Sequence, residues 1–293
     1  MMETQHLKAF VWVAEARSFS LAAEKLHITQ PAVSKRVALL EEYLSTELFD
    51  RIGRSVGLTE SGRALLPQAR AILQNLLEAE QSVRDLSGEV SGRLRLATSH
   101  HIGLHRLPPA LGHFSKAFPA VHIDIEFMDS EQAYELVAQG KVEVGIVTMA
   151  PVQPDNIIAA PIWQDALEFM VATEHELAAQ SKCTLQQLSN YPATLPGLNT
   201  YTGQIVKRLF DQHQLKLQVP LATNYLETIR MMTSIGLGWT VLPRTMLDKS
   251  LLALEVQDIS IARSLGIIYH RNRSLSRAAQ AFMDAVSTHG EMC

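Results

Sequence analysis

Between Ser18 and Leu44 two helical patterns lie only three residues apart, and this spacing constrains the fold more than any other feature of the chain. Just before it, Leu7, Phe10, Val11 and Ala14 recur at helical spacing and predict a first helix with one buried face, ending near Arg17. Ser18 or Ser20 can cap a short second helix carrying Ala22, Ala23 and Leu26, whose small side chains let another helix approach closely. His27, Ile28 and Thr29 lead into a third helix, which tolerates Pro31 because first-turn N–H groups have no helical partner. Helix, turn and helix is the expectation.

The third helix divides into two faces. Val33, Val37, Leu40 and Leu44 form one stripe that packs; Pro31, Ser34, Lys35 and Ala38 lie opposite, with Gln30 at the entrance. A DNA major groove accepts one such helix, whose N-terminal side chains meet base edges. Gln pairs two-fold with adenine there, and a small Ser or Ala permits contact with a thymine methyl. Gln30 and Ser34 are therefore the candidate base readers. A net charge of -4 is not that of a purely electrostatic nucleic-acid binder, so any basic footprint must be local. Arg17, Lys25, Lys35 and Arg36 face Glu24 alone over Arg17–Arg36, and Arg51 and Arg54 follow. The segment Phe49–Leu58 (FDRIGRSVGL) reads as a wing hairpin whose Arg54 can enter a minor groove or grip phosphate.

The run from Leu7 to Gly62 resembles the DNA-binding segment of LysR-type transcriptional regulators. It carries paired Ala at 22–23, then Leu26, Gln30-Pro31-x-x-Ser34, Leu40-Glu41, Leu48-Phe49 and Thr59-x-x-Gly62. The resemblance implies that Gln30, Pro31, Ser34, Lys35 and Arg54 contact double-stranded DNA, with Lys35 standing where Arg is common. It implies no enzyme activity.

From Thr59 onward, Leu65, Ala69, Ile72, Leu76, Ala79, Val83 and Leu86 are spaced as a heptad seam, with Pro67 expected to bend the helix. Periodicity alone fits either a coiled coil or an amphipathic helix packed on its own domain; linker helices of LysR-type regulators pair. A homodimer or homotetramer is expected, bound to an inverted-repeat operator and meeting RNA polymerase at promoters. Ser87–Gly92 (SGEVSG) reads as a hinge.

Strand signals at Arg93–Thr98, His122–Phe127 and Val142–Val147 alternate with helical stretches at Leu104–Phe118 and Glu131–Gln139. A second set has strands at Leu167–Ala172, Ala193–Pro196 and Val219–Thr223 and helices at Gln204–His213 and Leu226–Ile235. A strand at Leu265–His270 and a helix from Ser276 close the chain. The expected fold is α/β with an all-α N-terminal part: a winged helix-turn-helix over 1–58, a linker helix over 59–90 and an effector-binding domain over 91–293. Its two lobes, about 91–163 with 265–293 and about 164–264, resemble periplasmic binding proteins, as LysR-type effector domains do.

Ligands in such sheets sit beyond strand C-termini, near helix N-termini. The hydroxyl-rich loops there suit a small oxyanion, with His101 adding charge below neutral pH. The resemblance places Ser99, His101, Thr148 and Thr202 in an inter-lobe pocket. The effector is expected to be a small anion, an organic carboxylate or a sulfur oxyanion. The Ser and Thr placement is similar to that of LysR regulators of sulfur assimilation. Ser99 with His100 or His101 lacks a GxSxG elbow and an orienting acid, which argues against a hydrolase. His101 and His105 would share a helix face, but with His100 they show no third ligand class, so no metal or cofactor is expected. The two cysteines, Cys183 and Cys293, show no CxxC spacing or redox partnership. With no apolar run of about 20 residues and no signal-peptide pattern, a cytoplasmic, membrane-free protein is expected.

Overall fold

The computed structural model describes residues 2–52, 55–85, 89–180 and 182–290. The chain forms two compact units, Met1–Gly88 and Glu89–Cys293. In the first unit α1 (Thr4–Ala16), α2 (Phe19–Leu26) and α3 (Gln30–Leu44) bury Phe10, Val13, Ala22, Val33, Val37 and Leu40 in a common core. Ser18 caps α2 by accepting from the Leu21 N–H at 3.3 Å. His27 ends α2 in the left-handed region with φ 53°, its N–H reaching the Ala23 and Glu24 carbonyls, so α3 starts within three residues.

The wing follows as an antiparallel pair, β1 (Phe49–Ile52) and β2 (Ser55–Leu58). A Glu41 carboxylate oxygen accepts from the Leu48 and Phe49 N–H groups at 2.8 and 3.3 Å, fixing the wing to α3. Thr59 then accepts from the Gly62 N–H and donates to the Glu47 carbonyl at the start of α4 (Glu60–Asp85). A Cβ on Gly62 would stand 2.2 Å from the Leu48 carbonyl oxygen, so only glycine fits this close approach. Pro67 lies inside α4. The expected heptad seam splits in two along it: Ala69 is buried and Leu65 half-buried against the three-helix core, whereas Ile72, Leu76 and Val83 are exposed. Leu86 lies outside the described residues, as do Ser87 and Gly88 of the expected hinge.

The second unit is built on one mixed sheet. Its elements in chain order are β3 (Gly92–Thr98), α5 (His100–His105), α6 (Pro108–Ala117), β4 (Val121–Phe127), α7 (Ser130–Ala138), β5 (Val144–Thr148) and β6 (Ile157–Ala172). After these come α8 (Leu185–Leu188), β7 (Thr194–Leu195), α9 (Tyr201–Gln212), β8 (Leu221–Ala222), α10 (Leu226–Ser234), β9 (Thr240–Pro243), β10 (Leu251–Leu254), β11 (Ile261–His270) and α11 (Arg277–Gly290). The strand order is β10-β6-β11-β5-β3-β4, with β9 also on β6 and a separate parallel pair β7-β8.

Period-two alternation gives lobe I two packed faces. Leu94, Leu96, Val144 and Ile146 meet Phe114 of α6 and Phe282 of α11, while Ala97, Val147 and Ile268 meet Tyr134 and Val137 of α7. Lobe II repeats the device, with Phe169, Val171 and Val241 against Phe210 and Trp239, and Met170 and Leu242 against Leu226 and Ile229 of α10. The lobes share β6 and β11, which pair antiparallel from Ile157↔His270 to Leu167↔Ile261 with an irregularity between Leu265 and Gly266.

Three expectations need correction. The helix expected over Leu104–Phe118 is two helices, because Pro108 and Pro109 supply no N–H to continue the first. The strand expected at Leu167–Ala172 begins at Ile157, and Pro161, Gln164 and Asp165 hide its pattern. The strands β9 and β10 and the short helix α8 have no counterpart among the expected elements.

Candidate nucleic-acid interface and ligand cleft

In the first unit the faces of α3 separate as its residue pattern requires. Val33, Val37 and Leu40 are fully buried; Pro31, Lys35 and Ala38 are exposed and Ser34 is half-buried. Exposed Gln30 lies one helical turn before Ser34, and its Nε2 donates to Ser34 Oγ at 3.0 Å. That bond holds the amide plane and leaves the Gln30 carbonyl oxygen and the second amide hydrogen for another partner. Arg54 lies outside the described residues.

In the second unit Ser99, His101, Thr148 and Thr202 line one inter-lobe cleft. About 50 Å³ of it is open, several times the roughly 10–15 Å³ that one water requires. Ser99 precedes α5, Thr148 ends β5, and Thr202 lies in the first turn of α9, whose cap Thr200 accepts from the Gly203 N–H at 3.1 Å. The sequence reading did not identify the charged groups around them. Arg263 is buried on β11, where its Nη1 donates to Thr202 Oγ1 at 3.0 Å and its Nη2 to Asp165 Oδ2 at 3.0 Å. Arg106 donates to the other oxygen of Asp165 at 2.7 Å. Burial alone would push the Asp165 carboxyl up, but Arg263 and then Arg106 outweigh it and hold the pKa below the usual range.

His101 is 4% exposed, and neither ring nitrogen has a hydrogen-bond partner among the described residues; its Nε2 lies 3.9 Å from Asp165 Oδ2. Burial, aided by the charge on Arg263, lowers its pKa to about 4. The charge that His101 is expected to add below neutral pH therefore comes only in distinctly acid conditions, near pH 4. No Ser99–His101 hydrogen bond exists to activate a nucleophile.

Contacts also cross the cleft. Asp129, in a capping box with Gln132 at the start of α7, accepts from Asn224 Nδ2 at 2.6 Å. Glu131, also on α7, accepts from the Tyr201 N–H at the N-terminus of α9. Burial raises the Glu131 pKa against the opposing hydrogen bonds from its own and the Tyr201 N–H groups. His105 Nε2 meets Glu227 Oε1 of α10 at 2.8 Å. His100 instead stacks with Phe127 and tilts against Tyr225, apart from the His101–His105 ring pair. The sequence offers little sign of the Asp129–Asn224, Glu131–Tyr201 and His105–Glu227 contacts, since each joins residues far apart in the chain.

The described residues contain no helix long and apolar enough to cross a membrane. Two family models match: the bacterial regulatory helix-turn-helix protein, lysR family, over residues 4–63, and the LysR substrate binding domain over residues 87–291. The HTH-type transcriptional activator CmpR of Synechocystis sp. is 29% identical, covering 97% of this chain and 94% of its own length. The HTH-type transcriptional regulator YeiE of Escherichia coli is 30% identical, with 96% and 95% covered. Among solved structures, a full-length OxyR variant from Pseudomonas aeruginosa superposes with a TM-score of 0.71 at 22% identity, covering 98% of each chain. Full-length CbnR complexed with its target DNA gives 0.68 at 23% identity, covering 98% of this chain and 100% of that one. These relatives are regulators rather than enzymes, and two matched models account for both units: this chain belongs to the LysR family of DNA-binding transcriptional regulators, with an effector-binding domain after its reading head.

Proposed function

We propose that Gln30, Pro31, Ser34, Lys35 and Arg54 face DNA, with Gln30 and Ser34 reading bases and Lys35 and Arg54 engaging phosphate or the minor groove. Two chains join along the exposed Ile72–Leu76–Val83 stripe of α4, and the paired heads bind an inverted-repeat operator. The working divisions are a reading head over 1–58, a linker over 59–90 and an effector domain over 91–293, acting in the cytoplasm with RNA polymerase at promoters.

The effector in this reading is a small anion, an organic carboxylate or a sulfur oxyanion, held by Ser99, Thr148, Thr202 and the N–H groups of α9, with neutral His101 as a wall. The supporting observation is that the N-terminus of α9 already binds a carboxylate, that of Glu131. The effector takes the place of that group, and Glu131 swings away or takes up a proton. Because the Glu131 and Asp129 contacts tie the lobes together, their exchange for a ligand changes the relative stability of the cleft's arrangements, which is the differential affinity a switch requires.

The test is a thermal-shift titration with small carboxylates, sulfite, sulfate, thiosulfate, phosphate and neutral analogues at equal ionic strength. A specific anion at 100 times its Kd stabilises the fold by about 2.7 kcal/mol, and Thr148→Ala or Thr202→Ala removes the shift. Tight binding of neutral analogues with no anion effect overturns the anion reading and leaves the DNA-binding reading standing.

A further inference from the structure

His101, His105 and Glu227 place one potential ligand atom each within 4.8 Å of one another. We propose that they form a binding site for a first-row divalent cation, zinc above all, spanning the two lobes. His101 and His105 are four residues apart on α5, so both rings rise from one face of the helix, with centroids 4.8 Å apart. Glu227 arrives from the first turn of α10, and its Oε1 already lies 2.8 Å from His105 Nε2. Metal bonds of about 2.0–2.2 Å in a tetrahedral site set neighbouring ligand atoms roughly 3.3–3.6 Å apart, so the His105–Glu227 pair opens and the widest pair closes by about an ångström through rotation of the part-exposed His105 and Glu227 side chains.

His101 supplies the independent observation. It is 96% buried, and both ring nitrogens lack a hydrogen-bond partner among the described residues. A buried imidazole without a partner is costly, and a cation turns its lone pair to use. The nearby Asp165 does not relieve it, because its Oδ2, held by Arg263, stays 3.9 Å from His101 Nε2, beyond hydrogen-bond distance. His105 and Glu227 are about two-fifths exposed, with side-chain values of 44% and 38%, which gives an ion a route from solvent. Two His and one Glu form a nitrogen-rich set that favours zinc over magnesium or calcium and leaves a fourth position open to water. Because α5 belongs to lobe I and α10 to lobe II, the ion acts as a clasp on the cleft. The site shares His101 with the wall of the proposed effector cleft, but its ligand set does not rest on which effector that cleft takes.

The experiment uses the metal-stripped full-length chain titrated with zinc chloride, and with magnesium chloride for comparison, by calorimetry and thermal shift. The expected result is one zinc per chain at this site with a raised melting temperature and little response to magnesium. His105→Ala and Glu227→Gln weaken binding about tenfold or more; because each also alters the part-exposed His105–Glu227 contact, the zinc-induced shift of each variant is read against its own metal-free melting transition. His113→Ala, at the separate His113–His289 ring pair, leaves binding unchanged. Cobalt(II) added to the wild type gives the visible absorption of a low-coordinate nitrogen–oxygen site, lost in His105→Ala. No zinc binding, or binding that survives both His105→Ala and Glu227→Gln, overturns the proposal.

Discussion

Arg263 lies directly opposite Asp165 across the β11–β6 ladder, and its guanidinium binds one carboxylate oxygen through Nε at 3.3 Å and Nη2 at 3.0 Å. Both side chains are almost fully buried, so Arg263 depends on the Asp165 charge, and Asp165 on those of Arg263 and Arg106. Asp165→Asn strands the charge on Arg263 and should cost about 3–5 kcal/mol in denaturant unfolding of the effector domain. Because the folded pKa of Asp165 is depressed, its contribution is present above the ordinary aspartate range, near pH 4, and is lost as pH falls through the lower folded value. Unfolding curves from pH 7 downward should therefore converge for wild type and Asp165→Asn only at strongly acid pH. Equal stability of the two at pH 7 would contradict the pairing argument.

Glu131 has the opposite sign. Burial raises its pKa, so the stability tied to its protonated form is present at low pH and fades as pH rises above the ordinary glutamate range through the folded value. Glu131→Gln keeps an oxygen for the Tyr201 N–H while removing the half-buried charge. At pH 7 the variant should melt at or above the wild-type temperature, and any gain should vanish in acid. It should also bind an anionic effector more tightly. Weaker anion binding by Glu131→Gln in calorimetry would mean that the anion and Glu131 do not compete.

Glu41 accepts from two buried backbone N–H groups, those of Leu48 and Phe49. Glu41→Ala should cost about 1–3 kcal/mol and speed amide exchange at both positions, whereas Glu41→Gln, retaining an acceptor, should recover much of that protection. Unchanged exchange in Glu41→Ala would show that the wing is held by other contacts.

The apolar stripe of α4 makes a prediction about assembly. Leu76→Asp with Val83→Asp places charge on the exposed Ile72–Leu76–Val83 face and should lower the oligomeric mass in sedimentation. Affinity for a full inverted repeat should fall towards that for a half-site. An unaltered mass would put the oligomer interface elsewhere.

How much of this was legible follows from the range of the interactions. Helices α1 to α4 have local signals: the Val33–Val37–Leu40 stripe, Ser18 as a cap, and Thr59 with Gly62 at the start of the linker. The hydroxyl-rich loops at strand ends and helix starts are visible in the sequence, and the family resemblance singles out Ser99, His101, Thr148 and Thr202 among them; all four line one cleft. Asp165 and Arg263 were hidden because charged residues inside a strand weaken its apolar alternation, and their pairing is set by register between segments 98 residues apart. Glu227 was invisible as a neighbour of His105 for the same reason, at a separation of 122 residues. A helix reading of Leu104–Phe118 failed locally, where Pro108 and Pro109 should have prompted a break.

The most direct test of the account is selection of binding sites from a random duplex pool by wild type, Gln30→Ala and Ser34→Ala, at fixed salt. Gln30, oriented by its bond to Ser34, is held to pair with adenine, so wild type should enrich an inverted repeat with a distinct base preference in each half-site. Gln30→Ala should relax one position of each half-site, at a cost of about 1–3 kcal/mol in discrimination, and Ser34→Ala should relax it less. An unchanged consensus in both variants would contradict the placement of α3 as the reading helix.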